Sequence, residues 1–153
     1  MAAGIIGLAV LAAGALGLYS RQKSLEREQQ GLRISVTELN DRIRRGEKLT
    51  VVDLRHPLDV LAAPQLVPGA MPVGPLDLET CISQIPKDAE VVLYCTCPNE
   101  ETSLHAYRKM KECGFGHVKV LTGGLPAWKL AKLPLQDLYP ELEQQVRSRA
   151  QAS

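Results

Sequence analysis

Aromatic side chains are scarce in this 153-residue chain, which has one Trp, one Phe and four Tyr. A surface that stacks nucleic-acid bases needs more of them. Charge of one sign is equally scarce, since 18 Lys and Arg against 17 Asp and Glu leave a net charge of +1. Nucleic acid is usually met by a clearly basic face, so no nucleic-acid partner is expected. Cysteine is limited to Cys81, Cys95, Cys97 and Cys113. Four in a chain of this length do not make a disulfide-stapled miniprotein. Cys95 and Cys97 lack a second CxC or CxxC to complete a closed zinc site, and His105, Cys113 and His117 are scattered. What remains is an ordinary globular composition, 45% hydrophobic and 23% charged, long enough for one domain and a little more.

One long apolar run stands at the start. Residues 2–19, AAGIIGLAVLAAGALGLY, carry no charge. As a helix they span about 27 Å, close to the hydrocarbon thickness of a bilayer. No Lys or Arg precedes the run, as a secretory signal peptide would want. Arg21, Lys23 and Arg27 follow it. The positive-inside rule then places the carboxyl side in the cytoplasm. The expectation is an uncleaved single-pass transmembrane helix. Ala9, Ala13 and Gly17 form a row of small residues on which two such helices would pair into a homodimer, although a simple anchor is the plainer reading. Residues 20–31 read as a polar linker or a helical continuation.

From residue 32 onward, short β-forming runs alternate with helical patterns, which predicts an α/β domain with a central, mostly parallel sheet flanked by helices. Residues 34–36 suggest a brief strand, and Thr37 caps a helix to about Arg45. LTVVDL at 49–54 reads as a buried strand. Prolines 57, 64 and 68 predict a loop over 57–70. Short strand 70–73, helix 78–85, strand 90–94, helix 102–113 and strand 117–121 follow. Gly123-Gly124 turn the chain into a short helix at 127–130. Residues 32–135 make the domain, and 136–153 a polar, helical tail.

Cys95 ends the strongest strand, EVVLY, and a helix begins within about eight residues. Open α/β sheets bind ligands where strand carboxyl ends meet helix amino termini. The free N–H groups and partial positive charge there favour a thiolate or a bound anion. Strand, cysteine, loop and helix therefore mark a nucleophile on physical grounds. The alternative is a buried, inert cysteine. The loop Thr96, Cys97, Pro98, Asn99, Glu100, Glu101, Thr102 is too polar for a core.

These stretches, in order, resemble the rhodanese-like domain family over about residues 32–133. Ile34-Ser35 with Glu38-Leu39 resembles its opening strand and helix. Val51-Val52-Asp53-Leu54-Arg55 resembles its second strand, and Val67-Pro68-Gly69-Ala70 its following turn, with Leu66 in place of the usual His. Val91-Val92-Leu93-Tyr94-Cys95 resembles the active-site strand and nucleophile. Gly123-Gly124-Leu125-Pro126-Ala127-Trp128 resembles the closing element. The resemblance implies a sulfurtransferase. Cys95 would take the outer sulfur of a small-molecule donor, hold it as a persulfide, and pass it to a thiol or cyanide. It implies no cofactor and no metal. Backbone N–H groups of residues 96 to about 102, Pro98 excepted, would cradle the persulfide.

The loop departs from the family pattern. It is about two residues longer, and Thr102 stands where an anion-binding Arg is usual. No Lys or Arg lies between Cys95 and Arg108. Glu100 and Glu101 are there instead. A carboxylate about 6 Å from a dianionic donor costs about 3 kcal/mol per charge pair at an effective dielectric near 20. Poor thiosulfate affinity follows, unless both side chains face solvent from the first helical turn, with Asn99 as the N-cap. That solvent-facing arrangement is the favoured one. The related Cys-x5-Arg phosphatases are excluded, because the sixth residue after Cys95 is Glu101. The Cys-x-Cys-Pro-Asn-Glu loop resembles a variant in bacterial rhodanese-like domains associated with membrane proteins. Cys97 adds a choice between attack on a Cys95 persulfide, a strained disulfide, and packing. Asp53 and Arg55 read as a structural ion pair, Trp128 as core, and Cys81 and Cys113 as buried and inert. Two other functions stay open: a non-catalytic binding or regulatory module, and a Cys95/Cys97 thiol redox protein.

Overall fold

The computed structural model describes residues 18–23, 31–74 and 77–140. The apolar segment lies outside these but for its end. Residues 18–23 are helical and belong to a unit separate from the domain that starts at Ile34. No helix among the described residues is long and apolar enough to cross a membrane. The proposed membrane span and its row of small residues, like most of the tail, fall outside the described residues.

The domain runs β1 (Arg33–Ile34), α1 (Val36–Arg44), β2 (Thr50–Asp53), α2 (Pro57–Ala62), β3 (Gln65–Leu66), β4 (Met71–Pro72) and α3 (Leu78–Gln84). It continues with β5 (Val91–Tyr94), a 3-10 turn (Pro98–Glu100), α4 (Glu101–Glu112), β6 (Val118–Leu121), α5 (Gly124–Leu130) and β7 (Gln136–Asp137). Five strands form one sheet in the order β1-β6-β5-β2-β4. β2 is parallel to both β4 and β5, and β5 to β6. The alternating α/β pattern thus gives the expected fold class.

β5 is buried along its whole length because helices cover both sheet faces. Its side chains alternate. Val91, Leu93 and Cys95 join the cluster of Ala106 and Met110 from α4 and Cys81 and Ile82 from α3. Val92 and Tyr94 join the opposite cluster with Leu39, Leu125 and Trp128. Trp128 is core, as expected, and its indole N–H donates to the Pro134 carbonyl at 2.8 Å.

Several local expectations are corrected. The cap of α1 is Ser35, not Thr37; its hydroxyl accepts the Glu38 N–H at 3.1 Å. Residues 57–62 are helical rather than loop, since Pro57 sits in the first turn, where its missing N–H is no loss. His56 caps that helix by accepting the Leu58 N–H at its Nδ1. β7 comes back to pair antiparallel with β3, at Gln65 with Asp137 and Leu66 with Gln136. Cys81 is buried, but Cys113 is exposed, because it caps the carboxyl end of α4.

Candidate active site

Cys95 stands one residue past β5, at the carboxyl edge of the sheet, and is 1% exposed. Its main chain is gripped from two sides. The Leu54 N–H donates to the Tyr94 carbonyl at 2.8 Å, and the Leu125 N–H to the Cys95 carbonyl at 3.1 Å. The second bond needs α5 to approach the cysteine's backbone closely. Only glycine permits that at position 124. A Cβ there would stand 2.2 Å from the Cys95 carbonyl oxygen, and the φ of +54° lies in the left-handed region.

The loop after Cys95 turns through two residues of unusual backbone conformation. Asn99 and Glu100 are both left-handed, with φ of 58° and 59°. This pair reverses the chain after Pro98 and turns Glu100 inward. Glu100 is 8% exposed, and its carboxylate accepts the Gly123 N–H at 2.6 Å. The expectation that both acids face solvent is therefore wrong for Glu100 and right for Glu101, which is exposed. Asn99 is not the N-cap of α4 either. Glu100 occupies that position, without a side-chain capping bond.

The other loop residues sort by exposure. Thr96, Cys97, Pro98 and Asn99 are exposed. Cys97 Sγ lies 3.0 Å from the Thr102 hydroxyl. Among the backbone donors expected to cradle a ligand, the Glu100 N–H is already taken by the Cys97 carbonyl at 3.2 Å. The N–H groups of Thr96 and Cys97 make no hydrogen bond among the described residues.

Sequence reasoning missed Ser103 as a site residue. It lies on the α4 face that carries Ala106 and Met110, both packed in the cluster of Cys95. Ser103 is one turn closer to the helix amino terminus and is 0% exposed. Its hydroxyl is the buried side-chain polar atom without a partner among the described residues. Such groups are rare in folded proteins and call for a reason.

On the opposite face, Tyr94 donates its O–H to Asp53 at 2.9 Å and accepts the Val67 N–H at 3.3 Å. Burial, then the Asp53 charge, pushes the Tyr94 phenol well above its ordinary range, so it stays protonated. Asp53 also takes the Arg55 guanidinium, with Nη2 at 2.7 Å. Arg55 further donates to the Ala63 and Gln65 carbonyls, at 3.0 and 3.1 Å. The pair is structural, as expected: it pins the α2–β3 connection to the end of β2 and, through the Tyr94 hydroxyl, to the end of β5. Beside it opens a cleft of about 390 Å³, where Thr96 meets Asp59 and Ala63 on one side and Leu125, Pro126 and Lys129 on the other.

Residues 35–131 match the family model of the rhodanese-like domain. The chain belongs to that family. A protein named sulfurtransferase from Allochromatium vinosum is 31% identical over 102 residues, covering 67% of this chain and 92% of that one. The probable adenylyltransferase/sulfurtransferase MoeZ of Mycobacterium tuberculosis is 28% identical over 114 residues, covering 72% of this chain but 28% of the relative. Among solved structures, a full-length protein from Lactobacillus plantarum superposes with a TM-score of 0.68 at 23% identity, covering 78% of this chain and 99% of that one. The rhodanese-like domain of an Anabaena protein gives a TM-score of 0.60 at 25% identity, covering 71% of this chain and 81% of that domain. The rhodanese-like expectation is thereby met for the domain.

Proposed function

We propose that the domain is a sulfurtransferase that carries a sulfane sulfur on Cys95. The Cys95 thiolate attacks the outer sulfur of a small donor, a persulfide forms, and the remainder of the donor leaves with the electron pair of the broken bond. A thiol or cyanide then takes the sulfur and restores the thiolate. The observation that carries this reading is Cys95 at the end of β5, buried in one cluster with Ala106 and Met110 of α4, with its carbonyl held by the Leu125 N–H. The sulfurtransferase name of the 31% identical relative supports it. The inward carboxylate of Glu100 disfavours a dianionic donor, so thiosulfate is a poor substrate in this reading. The apolar segment 2–19 supports a domain attached to a membrane.

Mass spectrometry tests the reading directly. Exposure of the full chain to thiosulfate, mercaptopyruvate or inorganic polysulfide is expected to add one sulfur to the peptide that contains Cys95. No adduct from any of the three would remove the proposal. A binding module with no chemistry is the alternative that would then stand.

Ser103 gives a second check. In this reading its buried, unpartnered hydroxyl donates to a sulfur held on Cys95, and an unpaired buried hydroxyl costs about 1–3 kcal/mol. Ser103→Ala is therefore expected to leave the unloaded protein as stable or more stable in urea, while sulfur loading slows about tenfold. Loading at the wild-type rate would show that the hydroxyl has no part in holding the sulfur.

A further inference from the structure

Cys95 and Cys97 lie two residues apart in opposite surroundings. Cys95 is 1% exposed and shares a buried cluster with Ala106 of α4, while Cys97 is exposed in the loop that follows. At that burial, the acceptor that would reach a sulfur held on Cys95 is a small anion such as cyanide. A thiol on a tripeptide or a protein would be too bulky to reach so buried a residue, and the loop that follows it is tied to Gly123 through Glu100 at 2.6 Å. We propose that Cys97 is the exit station: it takes the sulfane sulfur from Cys95 and presents it to thiol acceptors too bulky to enter. The inference rests on the sulfurtransferase reading of Cys95.

The reach is short. Two residues span at most about 7 Å of chain, and a persulfide carries its outer sulfur about 2 Å beyond Sγ. Cys97 precedes the 3-10 turn in extended backbone, with φ of −67° and ψ of 143°, so no helix fixes its side chain. Turning inward between staggered rotamers gives up the contact with the Thr102 hydroxyl, and turning back restores it. The step balances without an oxidant or reductant. Cys97, its proton lost to solvent, bonds through Sγ to the outer sulfur of the Cys95 persulfide. The bond from that sulfur to Cys95 Sγ breaks, and its electron pair returns Cys95 to the thiolate. The outer sulfur and any proton on it move together.

The test uses the full chain, loaded with inorganic polysulfide, stripped of excess donor, and discharged either to cyanide or to glutathione. In the wild type, alkylated peptides are expected to show the extra sulfur on both Cys95 and Cys97. Cys97→Ser keeps a hydroxyl for Thr102 and is expected to hold sulfur on Cys95 alone. Its ratio of glutathione to cyanide discharge rates is expected to fall about tenfold or more. An unchanged ratio overturns the relay while leaving the Cys95 reading intact. Equal loading of Cys97 in Cys95→Ala also overturns it, because the sulfur would then come straight from the donor. So does a Cys95–Cys97 disulfide with free hydrosulfide as the only product, which marks attack at the inner sulfur. Absence of sulfur on Cys95 in the wild type overturns the sulfurtransferase reading and the relay with it.

Discussion

Cys95→Ala is expected to lower sulfur transfer at least about a thousandfold, the scale seen when a covalent nucleophile is removed. Alanine has no atom that can hold the sulfur, and no other cysteine shares this setting. Cys81 is buried in the same cluster, with burial pushing its thiol upward, away from the reactive thiolate. Cys113 is exposed at the far end of α4. The comparison variant is therefore Cys81→Ala. Both substitutions remove one sulfur from an apolar cluster, and each is expected to cost about 1–2 kcal/mol in a denaturant titration. Equal stability losses with activity lost in one variant alone would separate chemistry from packing. Turnover of Cys95→Ala within tenfold of wild type would place the nucleophile elsewhere. Serine is the poorer replacement, since it would bury a polar hydroxyl in that apolar cluster.

The parts of this site that were legible in the sequence are those encoded by local runs. The runs 49–54 and 90–94 read as strands from their apolar residues, and strands form within them at Thr50–Asp53 and Val91–Tyr94. Cys95 followed from the end of the second run. Asp53 and Arg55 read as an ion pair, although the tyrosine hydroxyl that completes it comes from β5, far along the chain. What could not be read depends on backbone conformation or distant pairing. Pro57 is a helix breaker in mid-helix and a helix starter in the first turn; only the surrounding fold decides which. Asn99 and Glu100 enter the left-handed region without a glycine to announce it, and that pair alone turns one acid inward and leaves Glu101 outside. β7 spans two residues and exists only because β3 is there to receive it. The GG pair at 123–124 was visible as a turn. Its tighter demand, room for the Cys95 carbonyl, needed the three-dimensional contact.

Asp53→Asn is expected to be among the most destabilising single changes in the domain, at about 3–5 kcal/mol, because it strands a buried charge. Asp53 is 0% and Arg55 3% exposed, so water cannot replace the lost carboxylate. The new amide would also turn N–H donors toward a guanidinium that has only donors to offer. Domains of this size are stable by about 5–15 kcal/mol, so the change removes a large share. The loss reaches further than the pair. Tyr94 gives up its acceptor, and the Ala63 and Gln65 carbonyls become the remaining partners of Arg55. Removing the charge as well gives the decisive comparison. Asp53→Asn with Arg55→Met deletes more hydrogen bonds than the single variant, yet it is expected to be no less stable in urea, because the unpaired cation is gone. A single variant that costs under about 1 kcal/mol would mean that solvent reaches Arg55 and that the pair contributes no more than a surface bridge. A double variant worse by the sum of both changes would assign the stability to the carbonyl contacts instead. In either case sulfur loading on Cys95 should follow the folded fraction, since the network grips the strand from the face opposite the thiol.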